Sequence, residues 1–264
     1  MEFLKRRNAP IQSSAWDALD EEAARTLKGR LVGRRIVDVE GPKGWGFSAI
    51  DIGRLEIPDQ DAKASVQYGM RRVQPLVEAR ARFALSQWEL DDIARGCADP
   101  DLDPLVSAAR EIADFEDRAI LEGFSDAGIV GLRSAATNDA LKLGKDPALF
   151  PTSIAEALIV LRDASVGGPY ALVLGRDAFT LLEGGAAGYP PLRKIEKLLD
   201  GPVLYSPVLE GGVLVSTRGG DFELTLGQDF ALGYETHDVR ELRLFFTESF
   251  SFRVLEPAAI VPLD

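Results

Sequence analysis

Any chemistry in this chain must come from a short supply of reactive side chains. It has one histidine, His237, and one cysteine, Cys97. One of each cannot build a zinc site of His and Cys ligands. A Ser-His-Asp triad would have to use His237. That residue lies in the polar stretch Glu235-Thr236-His237-Asp238, between two strand-like runs, where an exposed turn histidine is the better reading. Four carboxylates, Glu111, Asp114, Glu116 and Asp117, crowd one helical stretch and could supply the paired acids of a hydrolase. Arg110 and Arg118 stand among them at helical ion-pair spacings, which favours a solvated face. Trp88 follows Arg80 by eight residues, and the two could clamp a flat anionic ligand such as a flavin. An interface aromatic beside a surface arginine explains the pair more simply. The glycines of GPKGWG lack the phosphate-loop pattern and a following helix. Those of LEGGAAGYPP show no dinucleotide fingerprint. No catalytic set, metal site or required cofactor emerges.

Composition narrows the class further. The 264 residues are 46% hydrophobic and 27% charged, an ordinary globular balance. A net charge of −12 argues against non-specific contact with nucleic acid or an anionic membrane. The opening MEFLKRRNAPIQ has charge but no apolar core, so no secretory signal is visible, and no apolar run is long enough to span a bilayer. Cys97 can pair only between chains, which fits a reducing cytosol.

The elements that would position these residues can be taken from periodicity. Residues 11–31 carry a helical stripe of Trp16, Leu19, Ala23, Leu27 and Leu31, with Ser13 or Ser14 as cap. Ile36, Val37 and Val39 make a short strand. Residues 49–57 and 64–73 alternate around a polar turn and predict a long hairpin, marginal alone and therefore resting on a neighbour. Residues 75–85 continue extended, and 87–95 form a short helix. Asp103-Pro104 opens the longest helix, with Asp103 as cap and Gly123 as its end. Residues 130–210 predict a compact α/β unit. The last third is sheet. From Glu241 to Leu255 one strand could reach about 50 Å at ~3.3 Å per residue, long enough to extend beyond a core as a platform for other subunits. Glu248 interrupts its apolar face; if buried it needs a partner such as arginine, and a solvated kink is the alternative.

Particular stretches resemble a known family. LKRRNAPI with the following helix, GRRIVDVEGPKGW, ADFEDRAILEG, GPYALVLGRDAF, RGGDFELTLGQDFALGY and LRLFFTESFSFRV are together similar to encapsulins, collinearly over nearly the whole length. The resemblance implies an α+β fold of the tailed-phage major-capsid type (Hong Kong ninety-seven). Its parts would be residues 1–48 starting the peripheral domain, 49–74 as the extended loop, 75–129 and 212–264 as the rest of the peripheral domain, and 130–211 as the axial domain. It implies an icosahedral shell of sixty copies or a multiple. The shell would enclose a ferritin-like iron oxidase or a dye-decolorising peroxidase, recruited by a short C-terminal peptide. Carried over by match, the peptide groove would use Leu27, Leu31, Arg34, Ile36, Asp38, Asp229, Phe230, Leu232 and Tyr234. Relatives often carry an aromatic residue where Leu27 stands. The loop Gly184, Gly185, Ala186, Ala187, Gly188 and Tyr189 would ring a five-fold pore. A phage capsid subunit and a protease or bacteriocin are the competing readings.

Overall fold

A computed structural model describes residues 3–60, 64–144, 146–184 and 191–264. The chain begins with helix α1 (Ser13–Arg30), then β1 (Asp38–Glu40), the hairpin β2 (Ala49–Glu56) and β3 (Met70–Pro75), β4 (Val77–Ser86), α2 (Gln87–Ala94) and α3 (Asp103–Leu121). Two two-residue strands, β5 (Gly123–Phe124) and β6 (Ile129–Val130), and the short α4 (Leu132–Ala135) follow. Next come α5 (Phe150–Asp163), β7 (Tyr170–Leu174), α6 (Arg176–Glu183), α7 (Pro191–Leu199), β8 (Val203–Tyr205) and β9 (Gly212–Ser216). The chain closes with β10 (Phe222–Leu226), β11 (Ala231–His237), β12 (Glu241–Val254) and β13 (Ile260–Leu263).

Everything in the first sheet is arranged around β12. Antiparallel β4 covers one edge from Glu241 to Phe250. On the other edge β11 and β10 lie end to end, pairing with 242–247 and 250–254. Residues 227–230 bulge out opposite Glu248 and Ser249. Parallel β1 then lies outside β10. The second sheet runs β13-β9-β7-β8.

The strand expected over 241–255 is therefore present as the 14 residues Glu241–Val254, but it is not an outlying platform. Leu242, Leu244, Phe246, Phe250 and Phe252 on one side are buried, and so are Phe245, Thr247, Ser249 and Ser251 on the other. Three partner strands and α3 enclose it, so its length spans the core instead of leaving it. Each buried Phe is worth about 1.5–3 kcal/mol over an exposed one.

Helix α3 is the second axis. Its Leu105, Ala109 and Ile112 join the cluster made with α1, β4 and β11, while Ala119, Ile120 and Leu121 join the cluster around the second sheet. Asp103 is its first residue, with Leu102 at the cap position. Likewise α1 is preceded by Gln12 and has no side-chain cap bond.

Other expectations shift for local reasons. Ile36 and Val37 are not strand: residues Gly33–Arg35 form a single 3-10 turn, and pairing begins at Asp38. The hairpin's second strand starts at Met70, not at residue 64, because the Gln60 side chain occupies the main chain of Tyr68: Nε2 donates to Tyr68 O (2.7 Å) and Tyr68 N donates to Oε1 (3.1 Å). The second sheet takes β9 and β13 from the 212–264 range that the expected boundary gave to the first domain. His237 ends β11, paired with Leu242 and hydrogen-bonded through Nδ1 to the Tyr234 hydroxyl, rather than sitting in a turn. The hairpin pairs only with itself and leaves Leu55, Ile57, Val66, Tyr68, Met70 and Val73 exposed.

Candidate functional site

The residues brought together most closely lie where the end of α1 crosses α3 and meets the bulge beside β12. Between 30 and 34 the chain is laid along the carboxylates of α3. Arg30 makes a two-pronged pair with Asp114 (2.6 and 2.7 Å). The amides of Val32 and Gly33 donate to Asp117 (2.9 and 2.8 Å). A Cβ at Gly33 would stand 2.6 Å from Ile120 Cδ1 and 3.0 Å from Asp117 Oδ1, so a larger residue there would force those side chains to shift. Arg34 then reaches into the core.

Its guanidinium serves three carboxylates. Nε and Nη2 donate to Glu116 (2.9 and 2.7 Å), Nη2 to Glu248 Oε1 (2.6 Å) and Nη1 to Asp229 Oδ1 (2.8 Å). Glu116 and Glu248 are both 0% exposed, whereas the Asp229 side chain keeps 44%. The Phe230 ring faces the same guanidinium at 4.6 Å. So Glu248 is buried and has its arginine. The solvated face expected for Glu116 and Asp117 is not found: both are buried. Glu116 stands four residues from Ile112 and four from Ile120, on the apolar stripe of α3, and that spacing was the sequence signal for its burial.

Electrostatics follow from the crowding. Burial works against the Arg34 charge, but the Glu116 hydrogen bond and the surrounding carboxylates hold its pKa above the ordinary arginine value. Burial pushes Asp117 up to about 7 against the pull of the Gly33 and Val32 amides. Burial, then the neighbouring Glu116, raises Glu248 well above the usual carboxylate range. Its Oε2 is buried without a hydrogen-bond partner among the described residues.

Of the nine expected groove residues, Leu27, Leu232 and Tyr234 are buried in one cluster, with Leu31 and Phe230 packed against it. Ile36 is buried in the other cluster. Arg34 and Asp229 form the ion-pair network, and exposed Asp38 accepts from the Gly220 amide. Leu27, Leu31, Phe230, Leu232 and Tyr234 thus share one cluster, Arg34 links Asp229 to the core, and Ile36 and Asp38 make their contacts elsewhere. Much of their surface is already used inside the subunit, Arg34 above all. Of the pore residues, Gly184 caps α6 through its amide to Thr180 O (2.9 Å), while Gly185, Ala186, Ala187, Gly188 and Tyr189 lie outside the described residues.

The two residues of the candidate flavin pair lie on different elements. Arg80 lies on β4 with its guanidinium 4.3 Å from the Phe245 ring, and Trp88 lies on α2. Between them runs the extended stretch to Ser86, roughly 20 Å at ~3.3 Å per residue. Trp88 is 72% exposed, as an interface aromatic would be before assembly. Cys97 is an exposed free thiol. Among the described residues no cluster of His, Cys, Asp and Glu could hold a metal, and no helix is long and apolar enough to cross a membrane.

Comparison with known proteins bears on this arrangement directly. Residues 1–251 match the family described as an encapsulating protein for peroxidase. The chain is 45% identical, over its full length and 96% of the relative, to the type 1 encapsulin shell protein of Rhodospirillum rubrum. Among solved structures it is similar to a virus-like particle of Pyrococcus furiosus, with a TM-score of 0.65 and 15% identity over 94% of this chain and 98% of that one. It is also similar to the structure of Mycobacterium phage Bobi, with a TM-score of 0.59 and 12% identity over 89% and 90%. The fold is the tailed-phage capsid fold.

Proposed function

The chain belongs to the encapsulin family of shell proteins, and from that premise we propose that its particles take in cargo enzymes by docking a short C-terminal peptide of the cargo at the Arg34 junction. As an encapsulin it is the building block of an icosahedral nanocompartment, assembling in many copies, and its relatives are named as shell proteins. The observation that carries the docking reading is the gathering of Leu27, Leu31, Phe230, Leu232 and Tyr234 in one cluster, with Asp229 next to Phe230 and paired with Arg34. Leu31, Phe230 and Asp229 keep surface there. Apolar anchors flanked by fixed charges suit an extended peptide, and many shell sites facing many cargo chains add by avidity. The peroxidase in the family's description supports a dye-decolorising peroxidase as cargo. A ferritin-like iron oxidase is the other class, with iron storage and oxidative-stress defence as the corresponding roles.

Assembly follows from the hairpin. A two-stranded ribbon with six exposed large apolar side chains is completed by a neighbouring copy. The test is loading. Particles of Phe230→Glu are expected to form with unchanged size by electron microscopy and to lose co-purifying cargo by mass spectrometry. Equal cargo in wild type and variant would remove the junction as the docking site. The phage reading shares the fold, and fold alone does not assign function. Nuclease-protected DNA inside purified particles would favour it, against a net charge of −12.

A further inference from the structure

The outer edge formed by β10, the bulge and β11 is covered from two sides. On one side, Lys43 N and Gly44 N donate to Leu226 O and Gly227 O, at 2.9 and 2.6 Å. On the other, Tyr234 N on β11 donates to Leu4 O at 2.8 Å. Between these two covers lie Asp229, Phe230 and Leu232. The covers are also tied to each other, because Phe3 stacks on Trp45 with ring centroids 5.0 Å apart and planes 17° apart.

The tie is slight. Phe3 is 59% exposed. Lys5, where the segment turns away, has φ 49°, the left-handed region that a residue with a Cβ seldom adopts. Farther on, the segment is anchored more firmly: Arg6 pairs with Asp20 at 2.6 Å and lies over Trp16 at 4.0 Å. The first residues can therefore lift while the remainder stays. A main-chain bond on a free sheet edge is what an incoming extended segment replaces one for one. Main-chain direction alternates along a strand, so Leu232 presents its groups on the same edge as Tyr234.

We propose that residues 3–5 are a latch. The chain's own N-terminal segment occupies the β11 edge that a cargo peptide takes by strand addition, and docking opens the Phe3–Trp45 stack. The inference rests on the docking reading above and adds its regulation and binding mode.

Three particles test it: the full chain, a chain lacking residues 2–4, and Phe3→Ala. Hydrogen exchange at the Tyr234 amide is read on intact particles. Deletion is expected to speed it at least tenfold, and Phe3→Ala by a smaller factor, while the β12 amides keep their protection. A fluorescent protein ending in Met-Glu-Phe-Leu-Lys-Arg-Arg, co-expressed with each chain, is the binding probe. The deleted chain is expected to retain at least tenfold more of it than the full chain. Tyr234 exchange unchanged in both variants, or equal retention of the probe, overturns the latch. Host cargo reports separately. Particles of every chain free of any host protein would sink the docking reading, while exchange and the probe still decide the latch.

Discussion

Removing the Arg34 guanidinium should cost far more than one surface ion pair. In Arg34→Ala, Glu116 and Glu248 remain fully buried and lose the one cation that pairs with them among the described residues. Breaking a buried pair from one side costs about 3–5 kcal/mol. The raised pKa of Glu248 makes its charge the easier of the two to neutralise, which places the loss near the lower end. The Phe230 contact adds about 0.5–1 kcal/mol, and the half-exposed Asp229 pair adds little. The sum is about 4 kcal/mol, or roughly 8–16 °C in Tm for a chain of this size. Scanning calorimetry at matched protein concentration reads it, since assembly itself shifts apparent stability. The decisive comparison is with Arg34→Ala/Glu116→Gln/Glu248→Gln, which removes the orphaned charges along with their partner. It should recover at least half of the lost stability, because the cost lies in the uncompensated carboxylates rather than in the missing arginine. A single variant within 2 °C of wild type, or a triple variant no better than the single, would refute this account. The same reasoning makes Arg34→Ala a poor probe of cargo docking: lost loading would follow from a loosened subunit.

Asp117 makes stability depend on pH. Its pKa is about 7 folded and 3.8 unfolded, so the folded state holds the extra proton between those values. Its contribution is complete below about pH 4, declines as pH rises to 7 and is lost above. The full shift corresponds to about 4 kcal/mol at most. Asp117→Asn keeps an acceptor for Val32 and Gly33, and its Tm relative to wild type should rise between pH 5 and 8 in a fluorimetric melt; a constant difference counts against the assignment. Gly233→Ala would set a Cβ 2.2 Å from the Phe245 ring, which Arg80 covers at 4.3 Å, and should cost about 1–3 kcal/mol by calorimetry. Leu55→Asp/Met70→Asp lies on the exposed hairpin and should leave far-UV circular dichroism unchanged while gel filtration shows small species; intact particles would show that the hairpin does not build the shell.

Much of this architecture was legible because its elements are strongly periodic. Alternation marked β10 and β12, and helical spacing with Asp103-Pro104 marked α3. The family resemblance carried the fold, which no local pattern specified. What periodicity could not convey was which face of an element is covered. Both faces of β12 are buried because β4, far away in sequence, lies along it, and no window around Glu241 contains that fact. The role of Arg34 was hidden for the same reason. Its partners stand 82, 195 and 214 residues away, and charge pairing at that separation leaves no local signature. Glu248 announced itself by breaking the apolar face of β12, whereas the apolar-stripe position of Glu116 was masked by the charged neighbours that suggested a solvated face.

The placement of β12 also sets a clock. β4 is synthesised early, yet its partner strand ends at Val254. At about 5–20 residues per second, the ribosome needs on the order of ten to thirty seconds to travel from Ser86 to that point. Throughout this interval the hairpin, with its exposed Leu55, Tyr68 and Met70, has already emerged, while the sheet that must carry it has no central strand. A nascent chain can thus offer its adhesive arm before it owns a body. Neighbouring ribosomes on one message hold several such arms close together. Subunit completion and shell growth therefore race each other, and the late synthesis of β12 relative to β4 decides when a competent subunit can form.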